Sequence, residues 1–348
     1  MPRIEDYDYD LPEAQIAQEP LPGRETSRLM VVDRAAGSID ETRFSALPDL
    51  LQPGDLIVRN DTRVVPAKIA GERVDDASAF TAMVYQQMPD GVWRALCKPA
   101  KKLKAGTRFR LGGRVEGTVL EIPAEHVPAM LPGERWLAFV PGADVSALLE
   151  AAGTMPLPPY VKTFAGDPER YQTTYARRPG AVAAPTAGFH FTPELFARLA
   201  AGGVEVVDVT LHVGPGTFQP VRTSDYSTHR MLAERYELSP DAAQRIAAAR
   251  AAGRRVIAVG STSLRVLETA ARDGLFPAGG AGWTDLYCTP GYRFQAVDAL
   301  ITNFHLPRTT LLLLVMAFGG EELIRRAYQR AVAGGFRFYS FGDAMLIR

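Results

Sequence analysis

Cysteine is nearly absent: the 348-residue chain has only Cys97 and Cys288, far apart in sequence. Neither belongs to a CxxC or Cys/His cluster of zinc spacing, so no preformed zinc site is expected, and two incidental thiols suit a reducing cytosol. Net charge is absent too. Lys plus Arg and Asp plus Glu number 39 each, which removes the basic signature of a whole-protein nucleic-acid binder and leaves room only for a local patch. The five histidines make no HxH or HExxH pair, and there is no GxSxG elbow, P-loop or GxGxxG turn. No metal is expected. Long apolar runs are missing as well. TTLLLLVMAFGG from Thr309 is about half the roughly 20 residues of a membrane span and reads as a buried helix. The N-terminus, MPRIEDYDYDLPE, is acidic and has no apolar core for a signal peptide, so a cytoplasmic protein is expected. No internal repeat or low-complexity tract occurs.

What is present is ordinary globular material, 47% hydrophobic and 22% charged, enough for a large core and two domains. RLMVVD (28–33) and DLIVRN (55–60) read as covered strands, with FSALPDLL between them as a short helix. From about residue 68 to 142 the texture changes to short alternating runs broken by DG, GG and PG turns, which predicts a small antiparallel β-barrel. Strands and helices then alternate from residue 143 to 348. TPELFARLAAGG, for example, has Thr192 as its N-cap, Pro193 at its first position and Gly202 at its end. The expected architecture is a layered α/β sandwich with a mostly parallel sheet, formed by residues 1–67 and 143–348, with the barrel inserted at 68–142.

Polar residues gather where strands end, the place where open α/β sheets bind ligands. PGAVAAPTAGFHF (179–191) has small residues for close backbone approach to a ligand at a helix start, and singles out Thr186, Gly188, Phe189 and His190, the last as hydrogen-bond donor, proton carrier or simply packed side chain. VTLHVGPGTFQPV (209–221) ends a strand at His212, then turns through Gly214 and Gly216 to present Thr217, Phe218 and Gln219. In RVIAVGSTSLRVLE (255–268), Ser261, Thr262 and Ser263 open a helix whose free N–H groups suit a carboxylate, although capping alone would also explain them. Arg265 either clamps that carboxylate or is exposed. Asn303 and His305 follow another strand, and VRNDTRVVPAK supplies Asn60, Asp61, Thr62 and Arg63. Near the C-terminus Ser340 and Asp343 flank a glycine. Phe189, Phe218 and Phe304 are available to stack a base. Finally, no acidic residue lies between Asp90 and Glu116, a window holding Lys98, Lys101, Lys102 and Lys104 besides several arginines. Such a stretch either tracks a phosphate backbone or is a solvated face.

Taken in order, DYDLPEAQIAQEPLPGRETSRLMV, GDLIVRNDTRVVPAKIAG, LPPYV, YQTTYARRPGAVAAPTAGFHFT, TLHVGPGTFQPV, VIAVGSTSLRVLE, VDALITNFHLPRTTLLLLV and FRFYSFGDAML resemble the S-adenosylmethionine:tRNA ribosyltransferase-isomerase family of queuosine biosynthesis. The resemblance spans nearly the whole chain. It implies a monomeric enzyme with an α/β sandwich and an inserted barrel. S-adenosylmethionine is then a consumed co-substrate, and no separate cofactor is implied. Its ribosyl part goes to the aminomethyl group of 7-aminomethyl-7-deazaguanine at the tRNA wobble position, giving epoxyqueuosine, adenine and methionine. In the scheme the resemblance implies, a base takes the C5′ proton beside the sulfonium and adenine departs. The amine then attacks C1′, and epoxide closure expels methionine. His190 or His212 would handle a proton. Asn303, His305 and Arg265 would hold the donor, with the Ser261–Ser263 helix start on its carboxylate. One departure is visible: the family's barrel opens with a Gly-Gly segment and a Glu-hydrophobic strand, whereas ASAFTAMVYQQMPDG lacks that Glu. A methyltransferase using the same donor and a non-catalytic RNA-binding barrel protein are the alternative functions.

Overall fold

The computed structural model describes residues 2–348 except 125, 127–129, 163, 165, 219, 220 and 222. A nine-stranded sheet carries the α/β part. Its strands are β1 (Arg28–Asp33), β2 (Ser38–Arg43), β3 (Leu56–Asn60), β12 (Glu205–Leu211), β13 (Glu234–Leu238), β14 (Val256–Val259), β15 (Gly280–Thr284), β16 (Ala299–Asn303) and β17 (Ala344–Ile347), in the spatial order β15-β13-β12-β3-β14-β16-β17-β1-β2. Parallel pairing is confined to β12-β3-β14-β16 and to β1-β17; every other neighbour is antiparallel. The expectation of a mostly parallel sheet is corrected on this point. The strands it overlooked carry little apolar signal: β2 (SIDETR) and β15 (GAGWT) are edge strands, where charge and glycine discourage further pairing.

Alternation along the central strands gives the sheet two apolar faces. Met30, Val58, Val209, Ala258 and Leu300 face one core, which is covered by α4 (Pro240–Ala251), α5 (Gly260–Arg272), α6 (Thr310–Gly319) and α7 (Glu321–Ala333). Val31, Ile57, Ile257 and Ile301 face the other, with α1 (Leu47–Leu50) and α3 (Pro193–Ala201). The apolar α6 is buried as expected. Helix α3 has the expected ends, its Thr192 hydroxyl accepting the Leu195 N–H at 3.1 Å.

The six-stranded closed barrel comprises β5 (Lys68–Arg73), β6 (Ala79–Gln87), β7 (Trp93–Lys98), β8 (Arg108–Leu111), β9 (Val115–Leu120) and β10 (Glu134–Phe139). Phe80, Phe109, Leu111 and Leu137 fill it. Helix α2 (Val145–Ala152), which lies beyond the expected end of the insertion at residue 142, contributes Val145, Leu148 and Leu149 to the same core. The barrel leaves the sheet just past β3, by way of β4 (Thr62–Val64), which pairs with β11 (Arg178–Ala181). It therefore stands over the edge where β12, β3, β14 and β16 end.

Entry and exit chains are stitched together: Lys68 N–H donates to the Thr154 carbonyl (3.1 Å) and Thr154 N–H to that of Lys68 (2.7 Å). Gly153 sits at this crossing, where an added Cβ would lie 1.8 Å from the Pro66 carbonyl oxygen. Gly153→Ala must push the two chains apart. It should lower the free energy of urea unfolding by about 1–3 kcal/mol, the usual cost of overpacking.

Candidate functional site

The ends of the parallel strands β12, β14 and β16 converge on one cleft lined by Thr186, Val213, Gly260, Ser261, Thr262, Thr302, Asn303, His305, Tyr339 and Ser340, among others. Helix α5 begins there with no side-chain cap, after Gly260 takes φ +83°, a turn that favours glycine. Its first N–H groups are thus left for a ligand. The Thr262 hydroxyl is buried beside them without a hydrogen-bond partner, as is that of Ser263. Orphan buried donors are rare in native proteins and point to a missing partner. The opposite wall holds Tyr160, whose hydroxyl meets that of Ser340, and Tyr339, a non-glycine residue at φ +73°. Both tyrosines lie in segments that carry the resemblance, LPPYV and FRFYSFGDAML, but nothing in the sequence marks their place at the cleft, and the left-handed backbone at Tyr339 has no compositional mark.

His190 lies behind this cleft, not in it. Its Nδ1 is 2.7 Å from Ser27 Oγ and its Nε2 is 3.2 Å from Asn303 Nδ2, while Thr186 Oγ1 donates to Asn303 Oδ1 at 3.2 Å. Both ring nitrogens are occupied. Burial pushes its pKa down to about 4, so the ring is neutral. His305 is likewise buried and neutral, held down to about 3, with Thr302 Oγ1 at 2.9 Å from its Nε2. His212 differs. Its Nδ1 meets Thr62 Oγ1 at 2.9 Å, Nε2 has no partner among the described residues, and burial lowers its pKa.

His212 opens into a second groove, between barrel and sheet, lined also by Trp93, Gly180, Gly214, Pro215, Glu234 and Trp283. Residues 212–215 therefore divide the two spaces, with Val213 on the cleft side. Glu234 holds this wall: its Oε1 accepts the Gly214 N–H at 2.7 Å and its Oε2 pairs with Arg265. Arg265 also donates to the carbonyls of Leu286 and Thr284, each at 3.1 Å. The expectation that Arg265 clamps a ligand carboxylate is thereby overturned, since each of its three nitrogens is engaged within the fold and the buried side chain lines neither space.

Other expected contacts turn out to be structural. Asn60 bonds both backbone groups of Leu211 and the Thr62 N–H. Asp61 is buried against Thr210 and Arg177, and Arg63 pairs with Glu169 at the surface. Asp343 staples the backbone N–H groups of Arg28 and Arg337, both at 2.8 Å. Gly188 packs on Tyr175; Phe189 and Phe304 are core residues among other aromatics, so neither offers a free face for a base. Gly216 lies by Leu232. Thr217 and Phe218 belong to the turn Pro215–Phe218, and Gln219 lies outside the described residues.

In the basic window three arginines are paired, whereas the exposed Arg114 joins the lysines in making no salt bridge among the described residues. Arg94, Arg108 and Arg110 are paired with acidic neighbours (2.8, 3.4 and 2.6 Å for the contacts to Glu134, Asp75 and Glu116). Lys98, Lys101, Lys102 and Lys104 are exposed and make no salt bridge among the described residues. Arg135 holds the Ala100 and Leu103 carbonyls beneath them. Among the described residues no group of three or more His, Cys, Asp or Glu is placed to hold a metal ion, and no helix is long and apolar enough to cross a membrane.

The sequence profile described as "Queuosine biosynthesis protein" matches residues 4–347. The chain belongs to that family. It is 50% identical over 346 residues to the S-adenosylmethionine:tRNA ribosyltransferase-isomerase of Symbiobacterium thermophilum and 47% identical to that of Desulfitobacterium hafniense, with 99% of each chain covered. A crystal structure of S-adenosylmethionine tRNA ribosyltransferase from Thermotoga maritima is similar to 99% of this chain and 100% of its own, with TM-score 0.57 and 34% identity. The sequence resemblance and the expected α/β-plus-barrel class are borne out, and the chain is a transferase-isomerase of queuosine biosynthesis.

Removing Glu234 would strand the Arg265 charge in the interior and release Gly214. Glu234→Ala should lose about 3–5 kcal/mol of unfolding free energy by urea titration, the cost of breaking a buried pair. A loss below about 1 kcal/mol would show that Glu234 does not hold the wall.

Proposed function

We propose that this enzyme moves the ribosyl part of S-adenosylmethionine onto 7-aminomethyl-7-deazaguanine at the wobble position of tRNA, forming epoxyqueuosine and releasing adenine and methionine. The observation that carries the reading is the shared wall, residues 212–215, with unsatisfied donors on one side and a free imidazole nitrogen on the other. Two substrates that must react with each other need adjoining spaces, and these two lie on either side of residues 212–215. The cleft suits the donor, because the N–H groups of Gly260, Ser261 and Thr262 and the orphan Thr262 hydroxyl offer a carboxylate neutral hydrogen bonds along a helix dipole. His305 and Thr186 line the same cleft. The groove suits the acceptor nucleotide, with Trp93 and Trp283 as ring faces and the Gly214–Pro215 turn beside it.

Of the two histidines considered, His212 is the better proton carrier. It is neutral near pH 7 and its Nε2 is unoccupied, as a general base requires. His190 has no free nitrogen until Asn303 moves. The sulfonium's own acidifying effect supplies the activation of C5′, so the scheme calls for no metal or further cofactor. In this reading the enzyme works as a cytoplasmic monomer. The four lysines grip the RNA backbone away from the groove: Lys98 is five residues along β7 from Trp93, roughly 16 Å at about 3.3 Å per residue.

Incubation with S-adenosylmethionine and tRNA bearing the 7-aminomethyl base should release adenine and methionine in equal amounts. Formation of S-adenosylhomocysteine would instead mean methyl transfer, and tRNA binding without turnover would mean a binding protein. His212→Ala should slow adenine release by about 10²–10⁴-fold; a rate within about threefold of the parent would rule it out as the base. Replacing Lys98, Lys101, Lys102 and Lys104 by alanine should weaken tRNA binding and flatten the plot of log K against log salt by about 3, at roughly 0.7–0.9 per phosphate contact.

A further inference from the structure

The hydrogen bonds through His190 run in one direction, and a single carbonyl sets it. The Arg24 carbonyl can only accept, so the Ser27 hydroxyl, 3.4 Å away, donates to it. Ser27 Oγ is then the acceptor for a proton on His190 Nδ1 at 2.7 Å, and the same carbonyl also favours a proton on the ring. A neutral imidazole has one N–H, which leaves Nε2 as an acceptor. The Asn303 atom facing it at 3.2 Å is therefore the amide nitrogen. This turns Asn303 Oδ1 toward Thr186, whose hydroxyl donates to it at 3.2 Å. In the opposite polarity the Ser27 hydroxyl would donate to Nδ1, and the Ser27 and Arg24 oxygens would face each other with no proton between them.

Asn303 Oδ1 and Thr186 Oγ1 each keep an unused lone pair, and both residues line the donor cleft. They stand beside the start of α5. Ile301, two residues before Asn303, pairs with Val259, the residue before Gly260, and a Cβ on Gly260 would sit 3.5 Å from that of Ala187, next to Thr186. Acceptors and backbone donors thus share one corner, matching a ligand whose anionic and cationic groups hang from one carbon. We propose that this corner reads the α-amino-acid end of the donor as a zwitterion: carboxylate on the α5 N-terminus, ammonium on Asn303 Oδ1 and Thr186 Oγ1. Ser27 and His190 are positioning residues that hold the Asn303 amide in its accepting orientation. The proposal rests on S-adenosylmethionine being the donor.

Three donors test it on the intact enzyme: S-adenosylmethionine, its analogue without the α-ammonium, and its decarboxylated analogue. The parent enzyme should show a KM about 10–100-fold higher for each analogue, as loss of a charged hydrogen bond implies, with kcat changed far less. Ser27→Ala and His190→Phe free the amide to turn, so discrimination against the deaminated analogue should fall to within about threefold. Discrimination against the decarboxylated analogue should persist. A variant that is merely loosened would lose both.

Asn303→Asp adds a readout that does not depend on overall packing and serves if His190→Phe does not fold. A carboxylate has no N–H for Nε2, so the ring must carry a proton there. Because the Ser27–Arg24 contact opposes the switch to the neutral Nε2–H tautomer, that proton is a second one, taken against the opposing charges of Arg24 and Arg337. Donor KM in Asn303→Asp should then rise as pH increases through the His190 pKa, while the parent stays flat from pH 6 to 8. Equal use of the deaminated donor by the parent, unchanged discrimination in Ser27→Ala and His190→Phe, or a flat Asn303→Asp profile would each overturn the proposal. A parent enzyme that consumes no S-adenosylmethionine would overturn the donor assignment first, and this inference with it.

Discussion

One buried carboxylate sets the layout of the site. Glu234 receives Arg265 from helix α5 and the Gly214 N–H from the loop after β12, while Arg265 also holds backbone carbonyls at and just beyond the end of β15. Three elements distant in sequence are thereby locked at one point. A buried ion pair contributes little to stability relative to well-packed apolar groups, but it tolerates no loss of either partner. What it supplies here is geometry: the wall between the donor cleft and the barrel groove cannot shift without stranding a charge. The same saturation removes Arg265 from ligand binding. In the proposed reading, recognition of an anionic group falls to backbone N–H groups and hydroxyls, which carry no desolvation cost of a full charge.

Loop positions were legible in the sequence because strand ends carry composition. The GFH, HVGPG, GSTS and TNFH segments all reach the same edge of the sheet, as reading them as strand-to-helix junctions requires. Side-chain direction was not legible. Asn60, Asp61 and Asp343 are polar residues in the right loops, yet Asn60 and Asp343 are turned inward to satisfy backbone groups and Asp61 to accept from the Thr210 hydroxyl and Arg177, and only the three-dimensional pairing reveals those partners. Partners from remote segments were equally invisible. Nothing near Ser27 or Glu234 in sequence announces a link to His190 or Arg265. The antiparallel flanks were missed for a different reason. Edge strands such as SIDETR and GAGWT need only one good face and avoid the apolar runs by which central strands are recognised.

The basic stretch of the barrel illustrates how pairing changes the meaning of composition. In sequence, arginines and lysines between residues 94 and 114 form one cationic run. In the fold, arginines on the strands face acidic partners across the barrel surface, whereas the lysines cluster on and around the turn after β7, which Arg135 shapes through backbone carbonyls. Formal neutrality of the whole chain thus coexists with a local unpaired cationic turn. Such a turn is set apart from the chemistry and is free to contact a polyanion without perturbing the cleft.

Inserting the barrel immediately after β3 has a consequence for how two substrates can meet. Residues leaving β3 must pass Thr62, whose hydroxyl fixes His212, before they enter β5. The strand that launches the barrel therefore also orients the imidazole at the groove, and the tip of the β6–β7 hairpin closes back over that groove through Trp93. A shift of the barrel relative to the sheet would alter the groove and the Thr62 contact to His212 together, while leaving the cleft behind Val213 intact. In the proposed reading, donor binding is built into the sheet edge and acceptor binding across sheet and barrel. That division suits a pair of substrates of which one is a small nucleoside and the other a large folded RNA presenting a single base.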